Sequence, residues 1–185
     1  MYGPLERAGE WWRIVSGAFL HGGLMHIAFN MFALWQVGTG CELLFRPLRM
    51  FAVYAIALVG SGLAIYCFSY DQVTVGASGA IFGLFGALAA GGLRIGPSQR
   101  ALVQQLFGII VINLILGFLL PNISNAGHIG GLVTGFIAGF VLFPQPHAIV
   151  SGAEDDFDGI DSHDPHAREA DVQHESTFEP GHGPR

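Results

Sequence analysis

The chain has 185 residues, long enough for one domain, but only 12% are charged, against about 25% in average soluble domains, while 51% are apolar and mean hydropathy is +0.50. These values exclude an ordinary soluble globular domain and describe a chain built into a membrane. All eight basic residues are arginine, which excludes lysine chemistry such as a Walker-type phosphate loop or a Schiff base, and the net charge of −6 is split, with −8 after Phe143 and +2 before it, a balance that argues against a nucleic-acid partner.

At the amino terminus, Glu6 and Glu10 interrupt any basic leader and no small-residue cleavage site follows a short apolar core. Met1–Arg13 is therefore expected to be an extramembrane loop, anchored at the lipid–water interface by Trp11 and Trp12. Five stretches free of Asp, Glu, Lys and Arg follow: Ile14–Gly40, Met50–Tyr70, Gln72–Leu93, Ala101–Leu120 and Ala126–Phe143. Crossing ~30 Å of hydrocarbon takes about 20 helical residues, and the runs lack the in-out alternation of a membrane barrel. The expected fold is an all-α polytopic bundle over residues 1–143, with five membrane helices near 22–44, 50–70, 77–93, 101–120 and 127–143.

Arg46 and Arg49 fall between the first two segments, and Arg94 and Arg100 between the third and fourth. Basic loops stay in the cytoplasm, so the amino terminus is expected outside and the carboxyl terminus inside. Cys41 and Cys67 then lie toward opposite faces, too far apart for a disulfide. Residues 144–185 are rich in Asp, Glu, His, Gly and Pro and are expected to form a disordered cytoplasmic tail. Its histidines, His147, His163, His166, His174 and His182, have irregular spacing and no cysteine beside them, so no metal site and no cofactor is expected.

Polar groups inside an apolar crossing are costly and ask for a reason. The first such group is His21, His26 and Asn30, of which His26 and Asn30 share one helical face. The second is Gly76-Ala-Ser78-Gly79, where Ser78 begins a helix whose Gly79 and Gly83 permit a close neighbour. The third is His128, set among Gly127, Gly131, Gly135 and Gly139 at four-residue spacing. Each group is also compatible with simple helix packing. Together, a glycine-lined seam between the third and fifth segments would bring the His128 imidazole within ~3 Å of the Ser78 hydroxyl, where a general base must stand. Asp71 and Glu42 are not placed to complete a triad, so a dyad is the simplest arrangement, with His26, the Asn30 amide and the Ser78 backbone N–H as candidate donors to an oxyanion.

Four motifs in order, Trp12-Arg13, His21-x4-His26-x3-Asn30, Gly76-x-Ser78-Gly79 and Asn125-Ala-Gly-His128-x2-Gly131, resemble those of the rhomboid intramembrane serine proteases over 134 positions from Glu10 to Phe143. The resemblance implies Ser78 as nucleophile, His128 as base, and His26 and Asn30, together with the Gly76–Ser78 stretch, at the oxyanion and substrate-binding site. It implies structural roles for Trp12, Arg13, His21, Phe82, Asn125, Gly131 and Gly135. Phe82 stands where many members carry a tyrosine packed on the histidine. The family core has six helices, so the resemblance implies that the first helix is absent here, with a start site placed too late as the favoured explanation and a protein that works with five helices or a non-catalytic remnant as the others. Transmembrane protein substrates, the lipid bilayer as surroundings and a multi-pass location in the plasma membrane are further implications. The oligomeric state is left open. A rhomboid-like protein that binds transmembrane clients without cleaving them is the alternative function, and a channel is disfavoured because the polar groups gather in one half of the bilayer.

Overall fold

A computed structural model describes residues 1–119 and 123–144. The loop around Pro121 and Asn122 and the acidic tail expected from 144 onward therefore lie outside the described residues, apart from Ile123, Ser124 and Pro144. The described part is helical, with no strand among the described residues. Two short helices, α1 (Gly3–Arg7) and α2 (Arg13–Ser16), precede α3 (Leu24–Phe68), α4 (Ser78–Ile95), α5 (Arg100–Leu119) and α6 (Asn125–Leu142). The last four are long and apolar enough to cross a membrane.

The helices expected at 22–44 and 50–70 thus belong to one helical run. At about 1.5 Å per residue, the 45 residues of α3 would reach ~68 Å, more than twice a bilayer core, if they were straight. They are not straight: Arg46 has φ 66° and ψ 159°, and Pro47 follows it. Proline cannot donate the helical hydrogen bond, crowds the preceding turn and disfavours the α conformation in the residue before it. A single residue therefore does what a loop was expected to do.

The neighbours of the two arms give their directions. In the arm before Arg46, Cys41 donates a hydrogen bond to the Leu84 carbonyl at 3.3 Å, and Leu44 packs at Gly91, so this arm runs parallel to α4. In the arm after it, Ala57 meets Gly83 and Ser61 meets Gly79, so this arm runs antiparallel to α4. α3 is a hairpin. α6 runs parallel to α4, with Gly131 on the Gly79 carbonyl, Gly135 on Gly83 and Gly139 on Ala87. A side chain larger than hydrogen at Gly131 or Gly135 would collide with backbone rather than with a movable side chain, so the four-residue stripe is the condition for this approach.

α4 is the centre of the bundle and α5 its outlier. The main core joins Val37, Cys41 and Phe45 of the first arm to Ile81, Leu84 and Leu88 of α4 and to Ala138 near the end of α6. One end of the bundle collects Arg46, Arg49, Arg94 and Arg100; there the Arg94 guanidinium lies over the rings of Phe140 and Phe143, 4.8 and 5.2 Å from their centroids. The other end carries the amino-terminal segment, the start of α4 and the start of α6. The stretch expected as a plain loop at 1–13 contains α1, which packs Gly3 against Tyr70 and buries Glu6 completely.

Candidate active site

α4 begins at Ser78, two residues after Gly76, whose φ of +112° lies in the region that L side chains rarely adopt. α6 begins at Asn125, two residues earlier than expected, because Ser124 caps it: the Ser124 hydroxyl oxygen accepts the Gly127 N–H at 3.2 Å. Ser78 thus stands in the first turn of α4 and His128 in the first turn of α6. The two helices are parallel and in glycine-to-glycine contact. That register brings Ser78 Oγ within 2.9 Å of His128 Nε2.

The imidazole is held on its face as well as its edge. Phe82, one turn after Ser78, stacks on His128 with centroids 4.1 Å apart and planes 6° from parallel. His128 is buried, and its Nδ1 has no hydrogen-bond partner among the described residues. Among the described residues, no carboxylate receives the far side of this ring. A serine hydroxyl and an imidazole nitrogen at hydrogen-bonding distance are the arrangement that a two-residue nucleophile–base pair requires.

Beside the pair, His26 enters from the start of α3. A Cβ placed on Gly76 would stand 2.8 Å from its Cε1 and 2.9 Å from its Nε2, so glycine is required there for two reasons, backbone angle and room. The Gly22 N–H donates to His26 Nδ1 at 3.1 Å, and His21 meets the same ring edge-on at 5.3 Å. Asn30 is buried one turn below, where its side-chain N–H donates to the His26 carbonyl at 2.9 Å. One of its two N–H bonds is therefore occupied within its own helix. In its first turn α4 also leaves backbone N–H groups without an intrahelical acceptor, and its dipole is positive at that end.

The remaining expected residues lie around this cluster. Arg13 forms an ion pair with Glu10 and lies over the Trp12 ring, 4.6 Å from its centroid. Asn125 donates to the Leu114 carbonyl at 3.3 Å, tying the start of α6 to the last turns of α5. Two contributors were not singled out in the sequence. Ser124 was legible as an N-cap residue preceding an apolar run. Gly22 was not, because it acts through its backbone N–H and any residue but proline supplies one.

Residues 8–145 match the family model of the Rhomboid domain. The chain is 43% identical over 139 residues to Rhomboid protease GluP of Bacillus subtilis, which covers 72% of this chain and 26% of that protein. It is 40% identical over 154 residues to RHOMBOID-like protein 5 of Arabidopsis thaliana, covering 78% of this chain and 49% of that protein, and 29% identical over 171 residues to Rhomboid protease AarA of Providencia stuartii, covering 78% and 60%. This is an integral membrane helix bundle of a family that includes named proteases. The chain belongs to the rhomboid family, and it spans about half or less of the length of the first two of these relatives.

Proposed function

We propose that this protein is a serine endopeptidase that hydrolyses peptide bonds in or beside the transmembrane segments of other membrane proteins, with Ser78 as nucleophile and His128 as its base. The observation that carries the reading is the 2.9 Å approach of Ser78 Oγ to His128 Nε2 across a seam of glycines, at one end of an apolar bundle. Simple packing does not require a stacked, buried histidine to meet a helix-starting serine.

In this reading Ser78 Oγ attacks the carbonyl carbon of the substrate peptide as its proton passes to His128 Nε2. The carbonyl oxygen takes the negative charge, and the Ser78 backbone N–H, His26 and the second N–H of Asn30 are the donors that meet it. Collapse of the tetrahedral species breaks the C–N bond, and His128 returns its proton to the departing amine. Water then attacks the acyl group by the same route, giving one proton to His128, which returns it to Ser78 Oγ as the C–O bond to Ser78 breaks and the acyl group leaves as a carboxylic acid. Phe82 keeps the ring in the one orientation that serves both transfers. The site lies at the end of the bundle opposite the four arginines, so in a plasma membrane with those arginines in the cytoplasm it works near the outer surface, and the acidic tail from 144 is cytoplasmic.

The test is cleavage of a reconstituted transmembrane substrate, together with labelling by a fluorophosphonate. Ser78→Ala and His128→Ala are each expected to abolish both signals, and the double variant to be no worse than either single one. Asn30→Ala is expected to slow cleavage by about 10- to 1000-fold, the range for loss of one oxyanion donor. Undiminished cleavage by folded Ser78→Ala protein would end the protease reading.

A further inference from the structure

His26 is held differently from the other polar groups at the site. Its Nδ1 faces a donor, the Gly22 N–H, at 3.1 Å. An imidazole nitrogen that accepts a hydrogen bond carries no proton, so a neutral His26 has its proton on Nε2. That nitrogen makes no hydrogen bond among the described residues, and it lies on the ring edge directed at Gly76, two positions before Ser78. Two constraints from opposite sides therefore fix the ring: a backbone donor behind it, and a residue without a Cβ in front of it. With the other tautomer, Nδ1–H would point at the Gly22 N–H, two donors facing each other, and Nε2 would offer the site a lone pair instead of a proton.

We propose that Gly22 is a positioning residue whose backbone N–H selects the Nε2–H tautomer of His26 and aims that proton at the space between Gly76 and Ser78, where a negative oxygen forms. The proposal rests on the protease reading for its consequence in catalysis, but not for the tautomer itself. The side chain at position 22 is immaterial: a Cβ there would meet only His26 Nδ1 at 3.5 Å, an ordinary contact. What matters is the N–H, and proline alone lacks it.

Two measurements test it. In the wild-type protein labelled with ¹⁵N at histidine and glycine, held at about pH 8 so that ordinary histidines are neutral, His26 is expected to show a protonated Nε2, a bare Nδ1 and a through-hydrogen-bond coupling from the Gly22 nitrogen to Nδ1. In cleavage assays Gly22→Ala should stay within about three-fold of wild type. Gly22→Pro should lower kcat by about 10- to 1000-fold with little change in KM. In a His26→Ala background, Gly22→Pro should cost nothing further, because its only route of action is already gone.

A protonated Nδ1 in the wild type would overturn the proposal, as would equal losses from Gly22→Pro with and without His26. If Gly22→Pro fails to accumulate, the wild-type spectrum still decides. If the wild type shows the expected tautomer but cleaves nothing, the protease reading has failed while the assignment at Gly22 stands.

Discussion

α4 and α5 are neighbours in the chain, nearly equal in length and similarly apolar, yet they are built for different surroundings. α4 buries twelve of its 18 residues within the protein; α5 buries three of its 20, Leu106, Ile110 and Gly117. The small residues explain the difference. α4 carries Gly79, Gly83, Gly86 and Gly91, through which both arms of α3 and the length of α6 approach its backbone, while Gly92 lies against Val103 of α5. α5 presents Phe107, Ile112, Ile115, Phe118 and Leu119 outward, as a helix solvated by lipid does. A bilayer gives no hydrophobic reward for moving leucine from lipid to protein, so close packing has to come from van der Waals contact, and glycine provides it. Ser78 sits on the packed helix and His128 on α6, which seats against it, so a register error of a fraction of an ångström would be felt in their 2.9 Å separation.

The sharpest way to break this comparison is to make one substitution in both regions. Gly131→Ala places a methyl against the Gly79 carbonyl, so α4 and α6 must separate; the expected result is a loss of stability of about 1–3 kcal/mol or more, since backbone cannot rotate aside, and cleavage reduced by about 100-fold as Ser78 and His128 part. Thermal unfolding in detergent and the cleavage rate report the two effects. Preserved activity in Gly131→Ala protein would mean that the seam is not what sets the 2.9 Å separation.

A smaller effect is expected one layer out. Phe82→Ala removes the ring stacked on His128 but leaves every polar group in place. Cleavage should fall by about 10- to 100-fold through misplacement of the imidazole, with Phe82→Tyr close to wild type. A Phe82→Ala protein with unchanged kcat would show that the seam alone orients the base.

The smallest effect should carry the opposite sign. Among the described residues, no atom lies within 4 Å of the position where a Cβ of Gly108 in α5 would stand. Gly108→Ala is expected to leave cleavage unchanged and to alter stability by between zero and about 1 kcal/mol in the favourable direction, the range of helix propensity gained when glycine is replaced. Destabilisation by Gly108→Ala would reveal a partner for α5 and remove the contrast with α4.

Much of this was written in the sequence. Long runs without charge and without in-out alternation read as helices in a bilayer, since every backbone N–H and C=O must then find its partner within the segment. Glycines at four-residue spacing announced the α6 contact, and histidine, asparagine and serine are expensive enough in lipid to single out candidate positions, although each group taken alone fitted simple helix packing as well. Helix ends were less legible: α6 starts at Asn125 because Ser124 caps it, a local bond that outweighs the start of the apolar run. The break between the first two segments was expected at the Arg46–Arg49 stretch; its sharpness was not legible, because charge suggested a loop of several residues where Pro47 lets the chain turn at Arg46 alone.

Periodicity along one helix fixes which residues share a face, and therefore that His26 and Asn30, or Gly131 and Gly135, act together. It says nothing about the axial register between two helices, because sliding one past the other by a residue leaves both patterns intact. Only the assembled bundle decides that Gly131 seats on the Gly79 carbonyl, which puts His128 Nε2 at Ser78 Oγ, and that Asn30 spends one N–H on its own helix. The same holds for Gly22. Its contribution is a backbone N–H common to nearly every residue, and only tertiary structure decides that this one meets His26 Nδ1.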